Sequence, residues 1–207
     1  REYDVSRETI RKALLLLLEN GYIHKIQGKG SIVLDVHRYR LPVTGLLSFK
    51  ERRQFQDVEA TTKVIVNEEV DAPDFLVRLG LVKRGEKLIY LVRQRIVDGE
   101  AVILDKDYIR KSAIGELPTD RVEESLYEYL ENDLGIKISY GNKDFKIEPI
   151  SEEDSTYIDL NGHKHIAVLR SDVYTEGTDF LHYTESRHRV DKFHFSEFAR
   201  RKSNIIN

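Results

Sequence analysis

The sequence predicts an α+β protein in two parts: a short helix-and-hairpin segment, then a larger domain built on a mostly antiparallel sheet. Three observations carry this expectation. Residues 1–40 hold eight Lys/Arg against five acids, whereas the chain as a whole, 207 residues long, has a net charge of −3; a basic segment on an acidic body suggests two modules with different partners. Apolar residues of helical period precede two short β-rich runs around a glycine turn. Beyond residue 60, seven β-rich runs follow one another with helices interspersed, which favours neighbouring antiparallel strands over a regular β-α alternation.

Ser6 is placed to cap the first helix, its hydroxyl accepting from a free N–H of the first turn. Ile10, Ala13, Leu14 and Leu17 form an inward stripe, and Asn20-Gly21 ends the helix. Tyr22–Ile26 and Ser31–Leu34 flank the turn Gln27-Gly28-Lys29-Gly30 as a hairpin. Arg7, Glu8, Arg11 and Lys12 make a polar face. The start of such a helix can meet phosphates through backbone N–H groups and base edges through arginine. An ordinary solvated amphipathic helix is the plain alternative.

Asp35 to Pro42 is a polar linker ending in a proline that interrupts regular pairing. The larger domain has β-rich runs at Thr62–Val70, Leu88–Val97, Ala101–Ile109, Ile136–Tyr140, Lys143–Ile150, Ile166–Tyr174 and Phe180–Arg189. Helices are expected at Pro73–Leu79, Val122–Leu134 and Ser151–Leu160, the last opening on a capping box of Ser151 and Asp154.

Arg93 and Arg95 are the foremost chemical candidates. Two apart on a strand, they point to one face, and two adjacent cations call for an anion, which guanidinium grips through paired donors. The turn at Asp98-Gly99 leaves the register open: a two-residue loop puts Leu104 opposite Arg93, a three-residue loop puts Asp105 there. Cross-strand ion pairs on a surface strand are the plain alternative. Ser125, early in a helix, suits an anion at the dipole's positive end or serves as a plain capping residue.

Composition excludes several classes. Cysteine is absent, so there is no disulfide framework, thiolate metal site or cysteine nucleophile. The longest apolar run, Ala13–Leu18, is far too short to span a bilayer, and no signal-like segment opens the chain. The expectation is a cytoplasmic protein with no membrane partner. Methionine is absent even at position 1, which suggests a chain truncated at its N-terminus. His163-Lys164-His165 lacks a third ligand and reads as a turn, not a metal site. His182, His188 and His194 recur every six residues without a ligand pattern, and Glu152-Glu153-Asp154 suits a helix start. No phosphate loop or dinucleotide glycine pattern appears, so no cofactor is expected.

Tyr3 to Leu14, Gly21-Tyr22-Ile23 and Gln27 to Ser31 resemble the second half of a GntR-type winged helix-turn-helix, covering the recognition helix and the wing. The resemblance implies that Ser6, Arg7, Thr9 and Arg11 contact DNA and that the wing, Gln27, Gly28 and Lys29, reaches the minor groove. The helices that precede this point in the family are missing. From Val43 onward the chain resembles the UTRA effector domain of the HutC branch, through Gly45 to Phe49, Arg93-Gln94-Arg95 with Asp98-Gly99-Glu100, Ser125 to Leu130, Tyr174 and Glu185 to Phe193. Such domains resemble chorismate lyase in fold and sense small metabolites. The implied division is residues 1–36 as a partial DNA-binding head, 37–42 as linker and 43–207 as effector domain. By resemblance, Ser48, Phe49, Lys50, Arg93 and Ser125 hold a phosphate, and Arg95, Asp105, Tyr127, His182, Glu185 and His188 face a sugar. Ser48 to Glu51, Ile103 to Tyr108 and Tyr183 to Arg189 resemble regulators of trehalose operons, which implies trehalose-6-phosphate as effector, with another phosphosugar such as glucosamine-6-phosphate as the alternative. The implied protein is a homodimeric repressor on a palindromic operator. A lyase-like enzyme with Asp105 as its acid is the competing class.

Overall fold

The structure, a computed structural model, describes residues 5–19, 21–26, 28–34, 46, 48–51 and 59–194. Ser6 opens α1 (Arg7–Glu19): its Oγ accepts from the Thr9 N–H at 3.1 Å, the N-cap expected of it. At the other end Gly21, at φ 81°, takes the left-handed conformation. Its N–H donates to the Leu18 carbonyl at 3.3 Å and that of Tyr22 to the Leu17 carbonyl at 2.9 Å, the paired bonds of a Schellman ending. β1 (Ile23–Ile26) and β2 (Gly30–Val33) pair as an antiparallel hairpin from Ile23↔Val33 to Ile26↔Gly30.

The inward stripe of α1 is corrected. No residue of α1 is buried, and Ile10, Leu14 and Leu17 are each more than 40% exposed. An amphipathic stripe is covered only where another element lies across it; among the described residues, none does so here.

The chain divides into two compact units, and the larger spans Leu46–His194. It is one six-stranded antiparallel sheet in the order β3-β4-β5-β8-β7-β6. The strands are β3 (Ala60–Asp71), β4 (Lys87–Val97), β5 (Glu100–Arg110), β6 (Ile138–Pro149), β7 (His165–Thr175) and β8 (Phe180–Arg189). Helices α2 (Asp74–Arg78), α3 (Lys111–Ile114), α4 (Thr119–Glu128) and α5 (Glu152–Tyr157) fill the connections. α5 carries the expected capping box: the Asp154 N–H donates to Ser151 Oγ at 3.1 Å and the Ser151 N–H to the Asp154 carboxylate at 2.7 Å.

Side-chain alternation gives each strand two fates. On one face Ile89, Leu91 and Ile109 pack under Val122, Leu126 and Leu130. Further along the same strands that face becomes polar, at Arg93, Arg95, Asp105 and Asp107. On the other face Val92, Leu104, Ile166 and Val168 close over Ile158 beyond α5.

Three local expectations are revised. Asp98 (φ 52°) and Gly99 (φ 82°) form a two-residue turn. The pairing then slips by one residue between Arg95 and Ile96, so Val102 is extra and Asp105 still faces Arg93. A bulge, not a longer loop, therefore decides the register. The two runs expected at Ile136–Tyr140 and Lys143–Ile150 are one strand, β6, because Gly141 and Asn142 pair with Val173 and Asp172 rather than turning. Gly141 permits close approach: a Cβ there would stand 2.7 Å from the Asp172 carbonyl oxygen. The helix expected at Val122–Leu134 starts at Thr119 and breaks at Ser125, whose φ −164°, ψ 118° is extended backbone. It resumes at Leu126 and closes in a π-helical turn over Tyr129–Asp133.

Gly141→Ala is expected to destabilise the larger unit by about 1–3 kcal/mol, since backbone on β7 must move to admit the methyl group. Urea unfolding of the two proteins measures it, and equal midpoints would mean the strands separate at no cost.

Candidate functional site

A cleft open to solvent on one side lies where the shared face turns polar. Its floor is built by β4, β5 and β8, whose alternate residues meet in two parallel chains. In one, the Arg93 guanidinium donates to Asp107 at 2.6 Å, Thr184 Oγ1 donates to the same carboxylate at 2.5 Å, and His182 Nδ1 lies 3.0 Å from Thr184 Oγ1. In the other, Arg95 Nε donates to Asp105 at 2.8 Å, Ser186 Oγ donates to Asp105, and His188 Nε2 lies 2.8 Å from Ser186 Oγ. A carboxylate only accepts, so each hydroxyl spends its proton on the aspartate, and each imidazole nitrogen facing it must be the donor.

All of these groups except the half-buried Thr184 are buried, and burial and neighbouring charge shift three of them. Burial pulls the Arg95 guanidinium down to about 10, with Arg93 lowering it further and Asp105 opposing, so it stays charged at neutral pH. Burial alone would raise the Asp105 carboxyl; Arg95 and Arg93 outweigh it and hold the group well below the usual carboxylate range. Burial lowers His182 to about 4, against the pull of Asp107 and helped by Arg93, so the ring is neutral. Two buried nitrogens, Arg93 Nε and His182 Nε2, have no hydrogen-bond partner among the described residues.

The walls come from two helix starts. Ser48 Oγ accepts from the Glu51 N–H at 3.1 Å while the Ser48 N–H donates to the Glu51 carboxylate at 2.6 Å, a reciprocal cap on a helical turn at 49–51. Phe49 lies under the Arg95 guanidinium at 4.6 Å. Ser125 caps the resumed part of α4, its Oγ accepting from the Glu128 N–H at 3.3 Å. Ser125 is thus a capping residue that also lines the cleft, with Leu126 and Tyr127 beside it. Lys50 Nζ donates to Glu124 at 3.0 Å and to Glu128 at 2.7 Å, and these bonds raise its pKa, Glu128 first.

The cleft thus gathers Ser48, Phe49, Lys50, Arg93, Arg95, Asp105, Ser125 and Tyr127. His182 and His188 are buried behind it, at the ends of the two chains, with Tyr127 edge-on to His182 at 5.8 Å between ring centroids. Glu185 is corrected. It alternates with Thr184 and Ser186 and so stands on the opposite face of β8, bound to Arg170 at 2.8 Å and Arg187 at 2.9 Å. Asp107, Thr184, Ser186 and Lys143 were missed. Their signal was parity: Asp105/Asp107 and His182/Thr184/Ser186/His188 each run at intervals of two, and six being even, the two histidines share a face.

In the smaller unit, Ser6, Arg7, Thr9 and Arg11 are exposed at the start of α1, with Arg11 bound to Glu8 at 3.1 Å. Gly28 (φ 78°) and Lys29 are exposed at the hairpin tip, and Gln27 lies outside the described residues. Among the described residues no group of three His, Asp or Glu is arranged to hold a metal, and no helix is long and apolar enough to cross a membrane.

Comparison with known proteins identifies the class of transcriptional regulator to which this chain belongs. Residues 56–194 match the UTRA domain, and the chain belongs to that family as a GntR-type regulator of the HutC branch. It is similar to the HTH-type transcriptional regulator TreR of Bacillus subtilis, 46% identical over 202 residues, which are 97% of this chain and 84% of that protein. The effector-binding domain of the B. subtilis trehalose repressor has a similar structure, with a TM-score of 0.63 at 38% identity over 69% of this chain and 99% of that one. The B. subtilis regulator YydK shares the fold, with a TM-score of 0.75 at 22% identity over 96% of this chain and 85% of that one. These relatives are transcriptional regulators, not enzymes.

His182 generates a pH dependence. Its ordinary value is 6.5 and its folded value about 4. Between the two, the unfolded chain takes up a proton that the folded chain does not, so stability falls as pH is lowered through that window, by roughly 3 kcal/mol at its acid end. His182→Gln is expected to lose this slope. Urea unfolding at pH 7 and pH 4.5 tests it, and an equal loss in both proteins would contradict the assignment.

Proposed function

We propose that the chain is a cytoplasmic repressor, a homodimer on a palindromic operator, whose DNA affinity is set by a sugar phosphate, trehalose-6-phosphate in the first place. Residues 1–36 form the DNA-binding head, with Ser6, Arg7, Thr9 and Arg11 toward the groove and the wing, Gln27, Gly28 and Lys29, at the minor groove. Residues 37–42 are the linker and 43–207 the sensor. The observation that carries the reading is the Arg93 guanidinium lining the cleft: it is held in place by Asp107, yet its Nε has no hydrogen-bond partner among the described residues. Ser48 and Ser125, each at the start of a helical segment, and Lys50 add donors and charge around it. Arg95, Asp105 and Tyr127 supply the alternating donors and acceptors that sugar hydroxyls need, with His182 and His188 orienting them from behind. The trehalose repressor whose effector domain this one resembles directs the choice of sugar. Effector binding lowers operator affinity provided it favours one arrangement of the dimer over another.

Operator binding measured across titrations of trehalose-6-phosphate, trehalose, glucose-6-phosphate and glucosamine-6-phosphate tests the proposal. Operator affinity is expected to fall most steeply with trehalose-6-phosphate; a flat response to all four would overturn it, and a steeper response to glucosamine-6-phosphate would reassign the sugar. Arg93→Lys keeps a cation against buried Asp107 but loses the paired donors, and is expected to weaken trehalose-6-phosphate binding by about tenfold or more, read by calorimetry. An unchanged affinity would remove Arg93 from the site.

A further inference from the structure

Lys50 lines the cleft, and its ammonium is already engaged. Two of its three N–H donors go to Glu124 and Glu128, 74 and 78 residues away in sequence. These carboxylates flank Ser125, the residue at which α4 breaks and resumes. Lys50, Glu124, Ser125 and Tyr127 line the same cleft. An anion resting against Ser125 and Lys50 would therefore meet two carboxylates within a few ångströms. The ammonium is shared between two carboxylates, and a phosphate brought against it without displacing them would meet their negative charge.

Both carboxylates have somewhere to go. The Glu124 side chain is about half exposed, and its second oxygen lies 3.6 Å from Arg121 on the solvent side. Glu128 is also substantially exposed and can turn to water. Neither is a buried charge that release would strand, so exchange is cheap where loss of a buried partner would not be.

We propose that Glu124 and Glu128 set the affinity and the charge selectivity of the cleft, acting as internal anions that hold Lys50 until the phosphoryl group of a phosphosugar replaces them. The inference rests on the phosphosugar reading of the site. A phosphoryl dianion replaces two carboxylates charge for charge. A neutral sugar cannot make that exchange, and a monoanion makes half of it. The same two acids thus weaken binding of the phosphosugar and leave that of its uncharged parent unchanged.

The test is calorimetry on the full chain as wild type, Glu124→Gln/Glu128→Gln and Lys50→Gln, with trehalose-6-phosphate, trehalose and inorganic phosphate. The double variant is expected to raise the preference for trehalose-6-phosphate over trehalose about tenfold, and Lys50→Gln to reduce it. An unchanged or lower preference in the double variant overturns the exchange. Glu128→Gln alone serves if the double variant does not fold, with a smaller gain expected in the same direction. If wild type binds no phosphosugar, the functional reading falls and inorganic phosphate decides the exchange by itself: greater thermal stabilisation of the double variant than of wild type supports it, and equal stabilisation overturns it.

Discussion

Two buried chains of charge and hydrogen bond, Arg93–Asp107–Thr184–His182 and Arg95–Asp105–Ser186–His188, hold the centre of this protein together. Each crosses three strands, and each leaves its members little choice: the guanidinium donates to the carboxylate, and the hydroxyl is oriented because the carboxylate accepts its proton. Arg95 reaches still further, to Thr62 on β3 at 2.6 Å. Four strands of the sheet are thereby tied at one level. An uncompensated charge at any of these positions would be costly, since pairing offsets a desolvation penalty of several kcal/mol per ion only while both partners are present.

That arrangement explains why the cleft sits where it does. The face shared by β4, β5 and β8 begins as an apolar floor under α4 and becomes a polar one after Leu91 and Ile109. A helix can cover the first part but not the second, because burying four ionised side chains under an apolar helix would leave their remaining donors unmatched. α4 breaks at Ser125 where the floor changes character, and the break turns a capped helix start toward the charged groups. The opposite face solves the same problem differently: Arg187 is closed off by Asp154 at 2.7 and 2.8 Å and by Glu185 at 2.9 Å.

A charged floor is only a receptor for anions if its cations are not all neutralised from within. Here the deep cations are paired to deep carboxylates, and Lys50, at the rim, is paired to carboxylates that water can reach. The depth of a carboxylate thus separates the partners that position an arginine from those that a ligand can displace.

Much of this was legible in the residues. Ser6 and Gly21 marked both ends of α1, Ser151 and Asp154 marked the start of α5, and the limits of β8 follow from its β-rich run, because these are local preferences of backbone and side chain. That Arg93 and Arg95 share a face follows from strand period alone, as does the pairing of Asp105 with Asp107, although it went unread; the same period places Glu185 on the wrong side. What only the tertiary structure decided is register and interruption. The single extra residue at Val102 sets Asp105 opposite Arg93, Gly141 continues a strand because β7 lies against it, and Ser125 breaks a helix whose sequence is helical throughout. At Val102 the choice goes to the register that sets buried charges together, and at Gly141 and Ser125 it goes to what lies against the chain from another element.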